Sequence, residues 1–376
     1  MSGALAFILF SVFWLAYANG ANDNFKGVAT LFGSGTTDYR RALWWATGTT
    51  FLGSMTAVAF GNRLIETFSG KGLVPDAAVA DPALLAAVGL GAAGTVFLAT
   101  RFCFPISTTH ALVGALIGAG LVSSGLSGIN LHGLGSLFLV PLLVSPLLAL
   151  GLAGIAYPLL HRLRLALGIS RETCVCIGEE VQVIAVEPGH ANAAAMVAVA
   201  DRVPSVTVGT DQTCFERYHG TLVGINVQTV LDRLHYLSAG AVSFARGLND
   251  TPKILALLIT VQAFHLPLGV GLVGIAIALG GLINARRIAE TMSHRITGMN
   301  HGQGLTANLV TAALVLGASK LGMPVSTTHV SCGTLFGIGA VSGQARWRMI
   351  GAIILAWVTT LPVAALAALI VRFVSV

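Results

Sequence analysis

Two heptapeptides place charge where an apolar chain has little room for it. GANDNFK at residues 20–26 closes one apolar run, and GLNDTPK at 247–253 repeats its Asn-Asp-x-x-Lys spacing far along the chain. An unpaired carboxylate or ammonium at membrane depth is expensive, so Asp23 and Lys26, three residues apart on a helical stretch, are expected to meet each other or a partner from elsewhere. The same holds for Asp250 and Lys253. Asn22 and Asn249 carry both donors and an acceptor, which suits unwound backbone. The plainer reading of both sets is a pair of structural ion pairs that hold broken helices together and touch no ligand; the repeated placement favours a role at a site.

Two hexapeptides, PISTTH at 105–110 and PVSTTH at 324–329, carry a different chemistry. Proline suits a helix start, and the hydroxyl residues after it sit where backbone N–H groups are unpaired and the helix end is partly positive. That is an anion site. Ser107, Thr108 and Thr109 supply hydroxyl donors from one copy; Ser326, Thr327 and Thr328 supply them from the other. Two such helix starts meeting near the bilayer midplane could surround one tetrahedral oxyanion. Taken singly, each motif reads as Ser and Thr bonding back to their own helix carbonyls; the duplication is what favours binding. His110 and His329 end the motifs and could donate to the anion, relay a proton or brace a neighbouring helix, with the structural role favoured.

The elements that must position these residues are membrane helices. Of 376 residues 55% are hydrophobic and 10% charged, against about 25% charged in soluble domains. Apolar runs near the ~20 residues that cross a hydrocarbon core lie near 3–19, 42–60, 83–100, 105–122 and 137–160, and again near 236–264, 266–284, 304–320, 324–341 and 348–371. They do not alternate as barrel strands do, and the 45 glycines and 12 prolines are tolerated in membrane helices. A third match, NRLIETFSGK at 62–71 with RRIAETMSHR at 286–295, falls between the other two in order. The chain therefore reads as an all-α membrane protein with a first repeat over 1–165, a polar cytoplasmic insertion over 166–221 and a second repeat over 222–376. Five spans per repeat invert the second copy, and broken or re-entrant helices meet at the midplane.

With the N-terminus outside, the cytoplasmic ends receive Arg40, Arg41, Arg101, Arg162, Arg164 and Arg171, then Arg286, Arg287, Arg295, Arg346 and Arg348, which follows the positive-inside rule and puts both termini outside. The net charge of +6 is thus read as topology and not as a nucleic-acid surface. The first apolar stretch lacks a basic leader region and runs into a repeated motif, so it reads as a retained span. Residues 171–220 carry β-branched runs bounded by turn residues and read as a small module with some strand structure. A regulatory or metal-sensing role for Cys174, Cys176 and Cys214 is the lesser alternative, since their spacing matches no strong zinc pattern.

These motifs resemble the inorganic phosphate transporter (Pit) family, whose two halves each carry a GAND-type signature and a P-x-S-T-T-H motif, and the resemblance covers both membrane halves. It implies a secondary active transporter, a symporter, of inorganic phosphate across the cytoplasmic (inner) membrane, with related sulfate permeases as the alternative. It also implies that Asn22, Asp23, Asn249 and Asp250 line the translocation site beside the two STTH loops. The departure is at Lys26 and Lys253, where sodium-coupled members carry a small amide. A tethered ammonium there is expected to repel sodium, so proton coupling is expected in its place, with Lys26, Lys253, His110 and His329 in coupling or charge-compensating roles. Expected partners are phosphate or sulfate, protons and the lipid bilayer, with a homo-oligomer left open and no nucleic acid. No nucleophile or metal set of suitable spacing and no Walker-type loop is found, so neither an enzyme, a cofactor, a bound metal nor an ATP-driven pump is expected.

Overall fold

A computed structural model describes residues 3–170, 172–184, 199–210, 212–213, 222–259 and 265–375. Cys214 lies outside the described residues. The chain divides into two compact units, one of residues 1–158 with 235–376 and one of residues 159–234.

The first unit is helical. In chain order the principal helices that lie wholly or mainly in it are α1 (Gly3–Asp23), α2 (Tyr39–Phe60), α3 (Pro82–Arg101), α4 (Thr108–Ser124) and α5 (Val140–Ala166), then α6 (Val227–Ile259), α7 (Leu266–Asn284), α8 (His301–Leu321), α9 (Thr327–Ser342) and α10 (Trp347–Ser375). The order of elements repeats: a short helix, Asn62–Phe68, follows α2, and another, Arg286–Glu290, follows α7. Among the described residues six helices are long and apolar enough to cross a membrane. The α5 and α10 helices leave large apolar side chains such as Leu147, Ile155, Leu355 and Val358 exposed, as lipid-facing surfaces do.

Helix α1 packs between α3 and α7, and α10 packs on α3 and α4. Close approach at these crossings requires glycine. A Cβ on Gly20 would lie 1.9 Å from the Ile277 carbonyl oxygen, and one on Gly118 would lie 1.9 Å from that of Ala365. Small residues serve here because apolar burial gives little drive between helices in lipid, so backbone-to-backbone packing must hold them.

Prolines 105 and 324 act one step earlier than the sequence suggests. Residues 104–107 and 323–326 lie outside any helix, and each helix begins three residues after its proline, with Ser107 and Ser326 as extended N-caps. Proline disfavours helix in the residue before it, so Phe104 and Met323 stay outside helix, and residues 105–107 and 324–326 run unwound through buried positions. The helices that follow, 17 and 16 residues long, are too short for a full crossing of about 20.

The second unit contains a three-stranded antiparallel sheet in the order β2-β1-β3, formed by β1 (Thr173–Ile184), β2 (Val199–Thr210) and β3 (Leu222–Asn226). Thr173 pairs with Thr210, and Cys174 with Asn226. The period-2 pattern of β1 buries Cys174 and Cys176 and exposes Ile177.

Candidate functional site

The unwound residues explain the amides and lysines of the heptapeptides. Backbone polar groups freed from helix inside a membrane protein need partners, and the repeated motifs supply them. Asn22 Nδ2 donates to the Phe104 carbonyl at 3.0 Å, and Asn22 Oδ1 accepts from the Ile106 N–H at 3.1 Å. Trp357 Nε1 donates to the Pro105 carbonyl at 2.9 Å, and Lys26 Nζ to the Ile106 carbonyl at 2.9 Å. In the second copy Asn249 Nδ2 and Lys253 Nζ both donate to the Val325 carbonyl, at 3.2 and 2.7 Å.

Each lysine also reaches across to the other half. Lys26 Nζ donates to Thr328 Oγ1 at 2.5 Å, and Lys253 Nζ donates to Thr109 Oγ1 at 2.9 Å. Thr328 Oγ1 in turn donates to the Ile106 carbonyl at 2.8 Å, which ties the start of α9 to the segment before α4. Both lysines keep their own carboxylates: Lys26 is paired with Asp23, and Lys253 with Asp250 at 3.5 Å. The two alternatives open in the sequence, a partner at three residues or one in the other half, are therefore realised together.

The carboxylates are further engaged. Asp23 Oδ2 accepts from Asn19 Nδ2 at 3.1 Å and from Thr108 Oγ1 at 3.3 Å, while Asp250 accepts from Asn249 at 3.1 Å and from Asn19 at 3.3 Å. Ser107 Oγ and Ser326 Oγ accept from the His110 and His329 N–H groups, at 3.1 and 3.2 Å, as N-caps. The two histidine rings lie 4.4 Å apart between centroids, and His329 packs at 3.9 Å on Trp357. Thr327 is buried beside them at the first turn of α9. All fourteen residues singled out in the sequence are buried, and the contacts above join the motifs of both halves.

The sequence reading missed Arg246, Asn19 and Asn24. Arg246 is 1% exposed. It donates to Asn19 Oδ1 at 3.4 Å and to Asn24 Oδ1 at 3.3 Å, has no carboxylate within salt-bridge distance among the described residues, and leaves Nε without a partner. The signal was present. When the heptapeptides are aligned and extended by one residue upstream, Asn19 falls opposite Arg246, so the duplicated position carries an amide in one half and a cation in the other. In this centre Asp23 and Asp250 are matched by Lys26 and Lys253, and Arg246 is a surplus positive charge among hydroxyl and amide groups. Such a centre suits an oxyanion.

Known proteins are similar to this chain along most of its length. A protein of Pyrococcus abyssi assigned as a phosphate permease is 28% identical over 390 residues, covering 95% of this chain and 94% of its own. The chloroplastic inorganic phosphate transporter 2-1 of Arabidopsis thaliana is 26% identical over 422 residues, covering 96% of this chain and 70% of its own. Among solved structures, the sodium-dependent phosphate transporter superimposes with a TM-score of 0.75 at 22% identity, over 99% of this chain and 98% of that one, and so shares its fold.

That structure corrects one expectation. Lys26 and Lys253 were expected to exclude sodium and leave protons as the coupling ion, yet a transporter of this fold is sodium-dependent. The electrostatic premise also fails here, because each ammonium lies against its own carboxylate and the pair presents no net charge to repel a cation. A family model for phosphate transporters matches residues 19–368 and takes in both copies of every motif, so this chain belongs to the phosphate transporter family, and it is a multi-pass membrane transporter and not an enzyme.

Proposed function

We propose that this chain carries inorganic phosphate across the cytoplasmic membrane by secondary active transport, and that the oxyanion binds where the two STTH segments meet the two heptapeptides. The observation that carries the reading is the reciprocal crossing of Lys26 to Thr328 and Lys253 to Thr109, in a centre where Arg246 has no carboxylate within salt-bridge distance among the described residues. Substrate-binding roles fall to the Asn-Asp pairs and the Ser-Thr-Thr segments, with the lysines compensating charge. Residues 1–165 and 222–376 act as inverted repeats about an insertion at 166–221. Their inversion is supported by the reciprocal contacts, and the placement of both termini outside by the arginine distribution.

Sulfate is the second reading, and a specific observation favours it. Hydrogen phosphate carries a proton that needs an acceptor, whereas sulfate does not. Here the carboxylate of Asp23 is occupied by Lys26, Asn19 and Thr108, and that of Asp250 by Asn249, Asn19 and Lys253. Uptake of radiolabelled phosphate and sulfate by the reconstituted protein separates the readings, and a sodium gradient is the driving force to impose first, as the solved relative is sodium-dependent. Phosphate uptake that excess sulfate fails to inhibit is expected; sulfate uptake without phosphate uptake would replace the first reading by the second.

A further inference from the structure

Four arginines surround one cavity. Arg101 at the end of α3 and Arg286, Arg287 and Arg295 beyond α7 line a space of about 390 Å³, together with Glu290 and Thr100. In the sequence these arginines read as a topology signal, a charge excess at the cytoplasmic ends of spans, and nothing in that rule requires them to meet. They come together because the segment before PISTTH is fastened to the segment after α7: Arg287 Nη1 donates to the Arg101 carbonyl at 2.8 Å, and Thr291 Oγ1 donates to the Cys103 carbonyl at 3.0 Å. Among the described residues none of the four is ion-paired with a carboxylate, so Glu290 leaves a net of three positive charges around the space.

The cavity also reaches the proposed site. Thr100 lines it, and Thr100 Oγ1 accepts from Asn22 Nδ2 at 2.9 Å. Asn22 is the residue that clamps the unwound backbone at Phe104 and Ile106. A group held by the arginines is therefore one hydrogen-bonded residue away from the STTH centre. Guanidinium groups match a tetrahedral oxyanion in geometry and charge, and a concave field of one sign concentrates the opposite ion at its mouth. The space falls in the usual range of small-ligand sites, about 300–1,000 Å³.

We propose that this four-arginine cavity is a vestibular binding site for the transported oxyanion on one face of the membrane, which captures it before entry to, or after release from, the central site. The proposal rests on the transport reading above. It differs from that reading in being one-sided, since it concerns only the face onto which the cavity opens.

The test is exchange transport by the protein in liposomes, with the oxyanion varied on each side in turn. Arg101→Gln with Arg295→Gln is expected to raise the half-saturating concentration on the cavity side by about threefold to tenfold and to flatten its dependence on salt. The half-saturating concentration on the opposite side should stay as it was. Glu290→Gln, which removes the one carboxylate, should shift the cavity-side value in the opposite direction, an outcome that damage to the fold cannot imitate. Arg295→Lys, which keeps the charge and loses the planar fork, should keep the salt dependence and raise the cavity-side value less than Arg295→Gln, and Arg40→Gln, away from the cavity, should change neither side. Equal shifts on both sides, or no shift on the cavity side, would overturn the vestibule while leaving phosphate transport standing. An effect that tracks the anionic lipid content of the liposomes, and not the soluble oxyanion, would assign the arginines to a lipid headgroup and overturn it too. Calorimetric titration of the detergent-solubilised wild type and the Arg101→Gln, Arg295→Gln variant with phosphate and with sulfate reads the cavity without transport, so that a wild type that moves neither anion overturns the transport reading and still decides this one: a binding event lost in the variant sustains the site, and identical titrations remove it.

Discussion

At the scale of single residues, the centre is held by pairs that depend on each other. Asp23 and Lys26 are 1% and 3% exposed and share the bond that neutralises both. Removing one partner leaves a buried, uncompensated charge, which costs roughly 3–5 kcal/mol. Asp23→Asn or Lys26→Met alone should therefore lower the melting temperature in detergent and abolish uptake. Asp23→Asn with Lys26→Met should recover most of the melting temperature and none of the uptake, since the double change restores neutrality but not the reach of Lys26 to the Ile106 carbonyl and Thr328. A double variant as unstable as the singles would show that the two are not partners.

Among elements, the position of the Asn-Asp motif depends on how closely α1 can approach α7. Gly20 lies three residues before Asp23 and has no room for a side chain against the Ile277 backbone. Gly20→Val should force the two helices apart and cost at least about 1–3 kcal/mol, with loss of uptake, because Asn22 and Asp23 move with the helix. Gly48 on α2 supplies the contrast: a Cβ there meets nothing within 4 Å. Gly48→Ala should be neutral or stabilise by about 0.4–1 kcal/mol. Thermal melts of the two variants side by side decide whether crowding, and not the loss of glycine as such, is what matters.

For the whole molecule, the two halves supply equivalent positions to one centre, and only one difference between them adds a net charge there. Arg246 stands where the first half has Asn19, and the two side chains touch. Arg246→Asn should weaken oxyanion binding by about 1.5–3 kcal/mol, the range for a hydrogen bond to a charged group. If the halves are related by a pseudo-two-fold through this contact, transposing the pair, Asn19→Arg with Arg246→Asn, puts the same charge at the same centre from the other side and should restore part of the affinity. Titration of both variants with phosphate checks this. A transposed variant as weak as Arg246→Asn would mean that the centre is not symmetric enough to exchange its parts.

Much of this protein was legible in its sequence. Composition specified a membrane protein, because a chain with so few charges has no other solvent to fold in. The order of three repeated motifs pointed to a duplication, because each is a local string that can be matched without knowing the fold. The need of Asn22 and Asn249 for unwound backbone also followed, since a proline before a hydroxyl cluster breaks a helix wherever it lies. Other features were decided by tertiary structure alone. Spacing along the chain placed Lys26 near Asp23 but could not show that its ammonium also crosses to Thr328, nor that pairing would cancel the charge expected to repel sodium. Arg246 gained its meaning only from surroundings that, among the described residues, hold no carboxylate within pairing distance, and the four arginines of the cavity looked like topology until two backbone contacts drew their segments together. The physical reason is the same in each case: whether a charge is free or neutralised depends on distances through space between residues far apart in the chain, and local patterns carry no record of them.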